Sequence, residues 1–456
     1  MWRSFSATEV HMAAYSTSIR CRELEPVYFS GNRAEFRMPE GALFTNNLHL
    51  MNLGVTKSTG TEVLNKLTGC LGTISRISLL DGNVELQSLT RANEWLGIRQ
   101  HLHSNAYNED VGSMLVGNRK SSRFNVRDTT GQKTGTDAQQ TTVVVGAKML
   151  EGGSRQLQSA VGATEATTFK GQLDLSEALT VLQSMPYLDT GYFKGLRIVV
   201  EFDVRHATVM GGGQDAGTLA QARPLLVVEE VIAPDIVEAN MGKTPPVMQY
   251  KVIETDVFSV PALSPAGSIL TQPQTFHVSS LNNKSIGRCL IATRATLATT
   301  QLTGAVPVEY GLYNSHAMIH QKNQVRVNGR NLFARDGITR ENQRLALMAD
   351  TWGRKASIRP FQHGLAYREQ DTIPRTNYID TGNESIGTAD YFAWDLDGAR
   401  VTDLQLDYER QSFQSSVGGA QVTACKYNSA LDLVMFAEVM KSIVPQKGGG
   451  YNVMYQ

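Results

Sequence analysis

Apolar and polar residues alternate along much of this chain. Leu196, Ile198, Val200 and Phe202 are interleaved with Arg197, Val199, Glu201 and Asp203, and only Val199 interrupts the polar series. Phe392, Trp394 and Leu396 alternate with Ala393 and Asp395; Leu404, Leu406 and Tyr408 alternate with Gln405, Asp407 and Glu409. A period of two with one apolar face predicts strands that cover a core on one side. Thr141–Val145 and Leu225–Ile232 are denser in apolar residues and predict strands buried on both faces. Ala430–Val444 fits helix or strand, and we read it as strand.

Two tight-turn signals punctuate these strands. Asp81-Gly82 separates Ile74–Leu80 from Val84–Leu86, and Asn328-Gly329 separates Val325–Val327 from Leu332-Phe333. Both dipeptides tolerate the positive φ values that a two-residue hairpin demands. Asp397-Gly398 reads as a third turn, leading into Leu404–Tyr408. Helical spacing is confined to Thr90–Ser104, to Asp174–Ser184 with an Asp-x-x-Glu box at Asp174 and Glu177, and to Thr339–Asp350. The order hairpin, cap, short helix, long polar stretch thus occurs twice. The long stretches are Asn105–Gln140 and Gly353–Gly387, and a glycine-rich loop runs from Met210 to Gly217. Strands and helices do not alternate, so a doubly wound parallel sheet is not expected. The pattern predicts an all-β chain of two antiparallel eight-stranded sandwiches with short helices and long loops.

The best internal boundary is Pro234–Met248, with Gly242-Lys243-Thr244-Pro245-Pro246 inside it. The expected division is an N-terminal arm at 1–24, a first sandwich at 25–233, a linker at 234–248, a second sandwich at 249–445 and a C-terminal tail at 446–456. Both tails carry apolar residues, Trp2, Phe5, Met12 and Tyr15 in the first and Tyr451, Val453, Met454 and Tyr455 in the second. At least one tail is therefore expected to order against a neighbouring subunit or another protein.

Composition narrows the function. With 456 residues, 41% of them hydrophobic and 19% charged, the chain is a globular folder of more than one domain. Lys+Arg and Asp+Glu both number 43, so the net charge is zero. A dedicated nucleic-acid binder carries a basic excess; zero net charge favours self-association. Nucleic-acid contact is expected to be weak and non-specific at most. Cys21, Cys70, Cys289 and Cys425 form no C-x-x-C pair and read as reduced, buried thiols. Neither a secretory leader nor a membrane span is expected.

Catalytic patterns fail on inspection. Gly242-Lys243-Thr244 has Val237 where a phosphate loop needs its first glycine, and Pro245-Pro246 forbids the helix that would hold phosphate. His101/His103 have spacing that points them apart, and His316/His320 lack a neighbouring acidic ligand. Asp395, Asp397, Asp407 and Glu409 are more simply a wet strand face than a glycosidase pair. The one basic patch, Arg119–Arg127 around Phe124, suits a loop contact to an acidic neighbour better than nucleic acid. No catalytic, cofactor-binding or metal residue is assigned, and no cofactor is expected.

In layout the chain resembles the double jelly-roll major capsid proteins of icosahedral double-stranded DNA viruses, in the flavour of polinton-like viruses and virophages. The resemblance rests on three stretches. They are Phe36–Leu53 leading into Gly69–Gly82; Leu173-Asp174-Leu175 through Met185-Pro186-Tyr187-Leu188 to Leu196–Phe202; and the Asn328-Gly329 hairpin with its helix. It implies a structural protein of the virion shell, assembled inside the host cell, that forms pseudo-hexameric homotrimers and meets neighbouring capsomers, penton and minor capsid proteins. The alternatives are a penton or minor capsid protein, and a two-domain β-sandwich enzyme or binding protein acting on carbohydrate.

Overall fold

The computed structural model describes residues 18–58, 62–64, 68–102, 113–117, 160–161, 168–205, 218–263, 270–295, 319–334, 337–339, 341–353, 392–411, 415–417, 420–422, 430–446 and 450–456. In the first half the principal strands are β1 (Ile19–Leu24), β2 (Arg33–Arg37), β3 (Leu43–Leu53), β4 (Ile74–Asp81), β5 (Val84–Thr90), β6 (Gly171–Asp174), β7 (Leu196–Phe202) and β8 (Leu225–Val231). In the second they are β9 (Met248–Val260), β10 (Thr271–His277), β11 (Lys284–Ala295), β12 (Ile319–Val327), β13 (Arg330–Asn331), β14 (Phe392–Val401), β15 (Leu404–Gln411) and β16 (Leu431–Pro445). A last strand, β17 (Tyr451–Tyr455), follows.

The first half forms two antiparallel sheets with orders β1-β8-β3-β6 and β2-β7-β4-β5. The second forms β9-β16-β11-β14 and β10-β15-β12-β13. Adding eight to each label of the first half gives the second. The order 1-8-3-6 facing 2-7-4-5 is that of a jelly roll, two sheets wound together so that all sequence neighbours but the β4-β5 hairpin fall in opposite sheets. The chain is therefore a double jelly roll, and among the described residues no strand pairing joins one half to the other.

Core and surface follow the period of two. Leu196, Ile198, Val200 and Phe202 are buried, as are Leu404, Leu406 and Tyr408. Val199, on the outer face, is buried as well, in register between Glu35 and Ser78. Asn328-Gly329 forms the predicted turn, with φ +51° and +77°; the first hairpin turns one residue later than predicted, at Gly82-Asn83, with Gly82 at φ +56° and Asp81 paired to Val84.

Several expectations need correction. β8 is not buried on both faces: Leu226 and Val228 enter the core, while Leu225 and Val227 are half-buried. On its outer face Glu229 accepts hydrogen bonds from Thr45 Oγ1 and Asn47 Nδ2, both at 2.9 Å. Asp397-Gly398 is a bulge inside β14, not a turn. Both residues have positive φ, and the pairing with β11 slips between Ile286 and Arg288. The chain turns instead at Thr402-Asp403, where it crosses between sheets. The stretch to Leu24 is not wholly an arm, because β1 is the first strand of the first jelly roll. The C-terminal tail, one of the two considered for ordering against a neighbour, is ordered on its own chain, where β17 pairs with the end of β16. The expected Thr141–Val145 strand lies outside the described residues.

The helices lie at the sheet ends: α1 (Ala92–Leu102), α2 (Leu175–Ala178), α3 (Val181–Ser184), α4 (Pro234–Asn240) and α5 (Glu341–Met348). Asp174 caps α2 by accepting from Ser176 N at 2.9 Å. The expected single helix over Asp174–Ser184 is two one-turn helices broken at Leu179-Thr180. α5 runs into a wider π-helical turn, Ala349–Gly353, that carries Trp352.

Candidate functional site: the seam between the halves

β16 is buried on both faces from Leu431 to Val439. Residues on one face fill the second jelly roll; Phe436 and Glu438 on the other meet the first half. The Trp95 ring of α1 lies 5.3 Å from the Phe436 ring and 5.5 Å from the Trp352 ring, the latter edge-on at 66°. Such offset aromatic contacts add to the stabilisation from the area they bury. Trp352 Nε1 donates to the Cys289 carbonyl at 3.4 Å, and the Arg288 guanidinium sits 4.1 Å from the Trp352 ring centroid.

Polar groups close the seam around this cluster. Glu438, nearly buried, accepts from Arg288 Nε at 2.8 Å and from Lys251 Nζ at 3.2 Å. Burial works to raise the Glu438 carboxyl, but the Arg288 hydrogen bonds and the charges of Arg288 and Lys251 together hold it below the usual range. The break between α2 and α3 presents Thr180, whose hydroxyl donates to the Lys251 carbonyl. Gln87 Oε1 accepts from Val181 N at 2.8 Å, and Tyr250 Oη donates to the Leu86 carbonyl. Burial, followed by the charges of neighbouring groups, pushes the Tyr250 hydroxyl above its ordinary range.

This arrangement is a packed joint, and among the described residues the candidates for catalysis do not converge on it or on one another. Gly242-Lys243-Thr244 follows the C-terminus of α4, where exposed carbonyls disfavour phosphate. Lys243 Nζ donates to the Ala239 carbonyl, and Gly242 N donates to Asp189 Oδ2 at 2.6 Å. Asp395 and Asp397 lie on β14, while Asp407 and Glu409 lie on β15 in the opposing sheet. Asp407 is 2.7 Å from Arg326 and accepts from Thr275 Oγ1 at 2.7 Å, so it is not a free acid. His101 is the penultimate residue of α1 and His320 the second residue of β12; His103, His316 and Arg119–Arg127 lie outside the described residues. Of the long polar stretches, only residues 113–117 and Gly353 are described. Among the described residues no group of three or more His, Cys, Asp or Glu is placed to hold a metal, and no helix is long and apolar enough to cross a membrane. Burial raises the thiols of Cys70 and Cys289 well above their usual range, whereas Cys21 on β1 is exposed.

Trp352, Phe436, Gln87 and Thr180 did not stand out in the sequence. Trp95 did, as one of the apolar positions of α1. The available signal for Phe436 was the apolar run Leu433–Ala437 within β16, which is apolar on both faces where one sandwich face needs only alternate positions.

No family model and no curated protein sequence matches the chain. Known structures do. A capsid chain of the Sputnik virophage matches at a TM-score of 0.52 and 9% identity, covering 100% of this chain and 90% of that one. The mavirus major capsid protein matches at 0.51 and 11%, covering 96% and 90%. PBCV-1 VP54, fitted into a reconstruction of Sputnik, matches at 0.51 and 11%, covering 100% and 98%. At such identities the likeness speaks to the fold: this chain has the double jelly roll found in viral major capsid proteins, over nearly its whole length.

Proposed function

We propose that the protein is the major capsid protein of an icosahedral virus, and that three copies form a pseudo-hexameric capsomer. The observation that carries this reading is the repeated strand order, 1-8-3-6 facing 2-7-4-5, in two halves fused through a buried aromatic seam. Two stiff wedges at a fixed angle are the part a six-wedge ring requires, and three chains close such a ring by cyclic symmetry. The seam serves rigidity, which suits a structural role.

Its partners are then further copies of itself, first in the trimer and then between capsomers, together with penton and minor capsid proteins. Its place is the virion shell, assembled in the host cell. Residues 1–17, outside the described part, are the segment assigned to reach a neighbouring subunit or minor protein. Light scattering on the purified protein tests the reading. A species of about 150 kDa, three chains of 50.0 kDa, that forms hexagonal arrays or shells under electron microscopy is expected. A monomer that assembles under no condition overturns it.

A further inference from the structure

The C-terminal strand bridges the two jelly rolls. On the second, β17 pairs in register with β16 from Lys441↔Tyr455 to Pro445↔Tyr451. Its end is fastened where Gln456 N donates to Met440 O at 3.1 Å and Ser285 N donates to Gln456 O at 2.6 Å. Tyr455 Oη donates to Glu254 Oε1 at 2.7 Å, with Lys284 Nζ 4.3 Å from the ring centroid. On the first half, Tyr451 Oη donates to Asp81 Oδ2 at 2.8 Å. Its ring lies 5.3 Å from Phe193, edge-on, and 6.3 Å from Tyr192, whose hydroxyl donates to the Gly450 carbonyl at 2.8 Å.

The receiving groups on the first half are pre-set. Asp81 Oδ1 accepts from Gly195 N at 2.7 Å, while Gly82 N donates to Gly195 O at 3.0 Å. The hairpin tip is thereby locked to the turn that presents Tyr192 and Phe193, and Asp81 Oδ2 is aimed at Tyr451. A hydroxyl donating to a carboxylate is a charge-assisted bond, stronger than a neutral one.

We propose that residues 450–456 are an intramolecular strap that locks the first jelly roll onto the second, so that docking of this strand fixes the angle between the two wedges. The seam supplies the hinge region and the strap bolts it at a separate point, through Asp81 and the Tyr192-Phe193 turn. This inference is read on the single chain and stands or falls independently of the capsomer reading.

The test compares the full chain with a chain ending at residue 449 and with Tyr451→Ala in the full chain. Each is followed by calorimetry, amide hydrogen exchange and small-angle scattering of unassembled protein. Loss of the strap is expected to broaden or split one cooperative transition into two. It should also speed exchange at Gly82 and Tyr192 by about tenfold or more, the effect of losing one charge-assisted bond. Tyr451→Phe, which keeps the ring contact with Phe193 but loses the bond to Asp81, should show the faster exchange at Gly82 with a smaller change in the unfolding transition than Tyr451→Ala. If truncation prevents folding, Tyr451→Ala alone decides. A single unshifted transition with unchanged exchange at Gly82 and Tyr192 in that variant overturns the proposal.

Discussion

The ring of Trp95, on the first helix, lies 5.3 Å from that of Phe436, on the last long strand, at 41° between planes. Each belongs to a different jelly roll, and both are almost fully buried. The contact extends the apolar cluster continuously through the two halves. Trp95→Ala should therefore cost about 3–5 kcal/mol, as for other buried aromatic truncations. Urea unfolding measures this, and Trp95→Phe should recover a good part of it. A loss below about 1 kcal/mol, within the ordinary range for point substitutions, would show that the seam is not a shared core.

Glu438 predicts an acid limb. Its folded carboxyl titrates below the ordinary value of about 4.3. The stabilisation is thus complete above that pH and is lost as pH falls through the lower folded value. Arg288 is the main partner, since the Lys251 side chain is 48% exposed and its share is screened. Glu438→Gln should cost on the order of 2 kcal/mol at neutral pH and flatten stability between about pH 5 and 3. An acid limb equally steep in the variant would remove Glu438 as its source.

The strap predicts an alkaline limb. Burial, and then their carboxylate partners Asp81 and Glu254, raise the hydroxyls of Tyr451 and Tyr455 above the ordinary range. Their contribution is whole below about pH 10 and declines as pH rises toward the folded values. Around them stand Glu85, Tyr192, Tyr250, Lys284 and Lys441. Burial lowers Lys441, so its titration acts in the opposite sense and relieves a penalty as pH rises. With Tyr250 also raised, the tyrosines outnumber it, and stability should fall from pH 10 to 11.5. The double variant Tyr451→Phe and Tyr455→Phe should be flatter there. An identical slope would place the alkaline transition elsewhere.

Asn328 fastens two turns at once. Its Oδ1 accepts from Thr402 N at 2.7 Å, Thr402 Oγ1 at 2.9 Å and Asp403 N at 3.2 Å, and its Nδ2 donates to Arg400 O at 3.3 Å. Asn328→Ala forfeits these bonds and places an unsuited residue at φ +51°, a combined cost of about 2 kcal/mol or more. Asn328→Asp keeps the acceptor and the turn preference and should lose less. Thermal melts rank the two, and equal melting points would contradict the assignment.

What the sequence determined by itself is local. Alternation set the buried faces of Leu196–Phe202 and Leu404–Tyr408, because side chains on a strand point to opposite sides whatever pairs with it. Asp81-Gly82 and Asn328-Gly329 marked tight turns because few residues accept positive φ. The same rule misread Asp397-Gly398, since a bulge makes the same demand on φ as a turn, and only the partner strand distinguishes them. Pairing was decided by the tertiary structure. β1 joins β8 across the whole first half, so residues that read as an arm became a strand. The second buried face of Leu431–Val439 exists only because another jelly roll covers it, and the tail reaches the first half because Asp81 stands opposite Tyr451. Local patterns record a residue's own preferences, whereas the seam and the strap arise from surfaces brought together from distant parts of the chain.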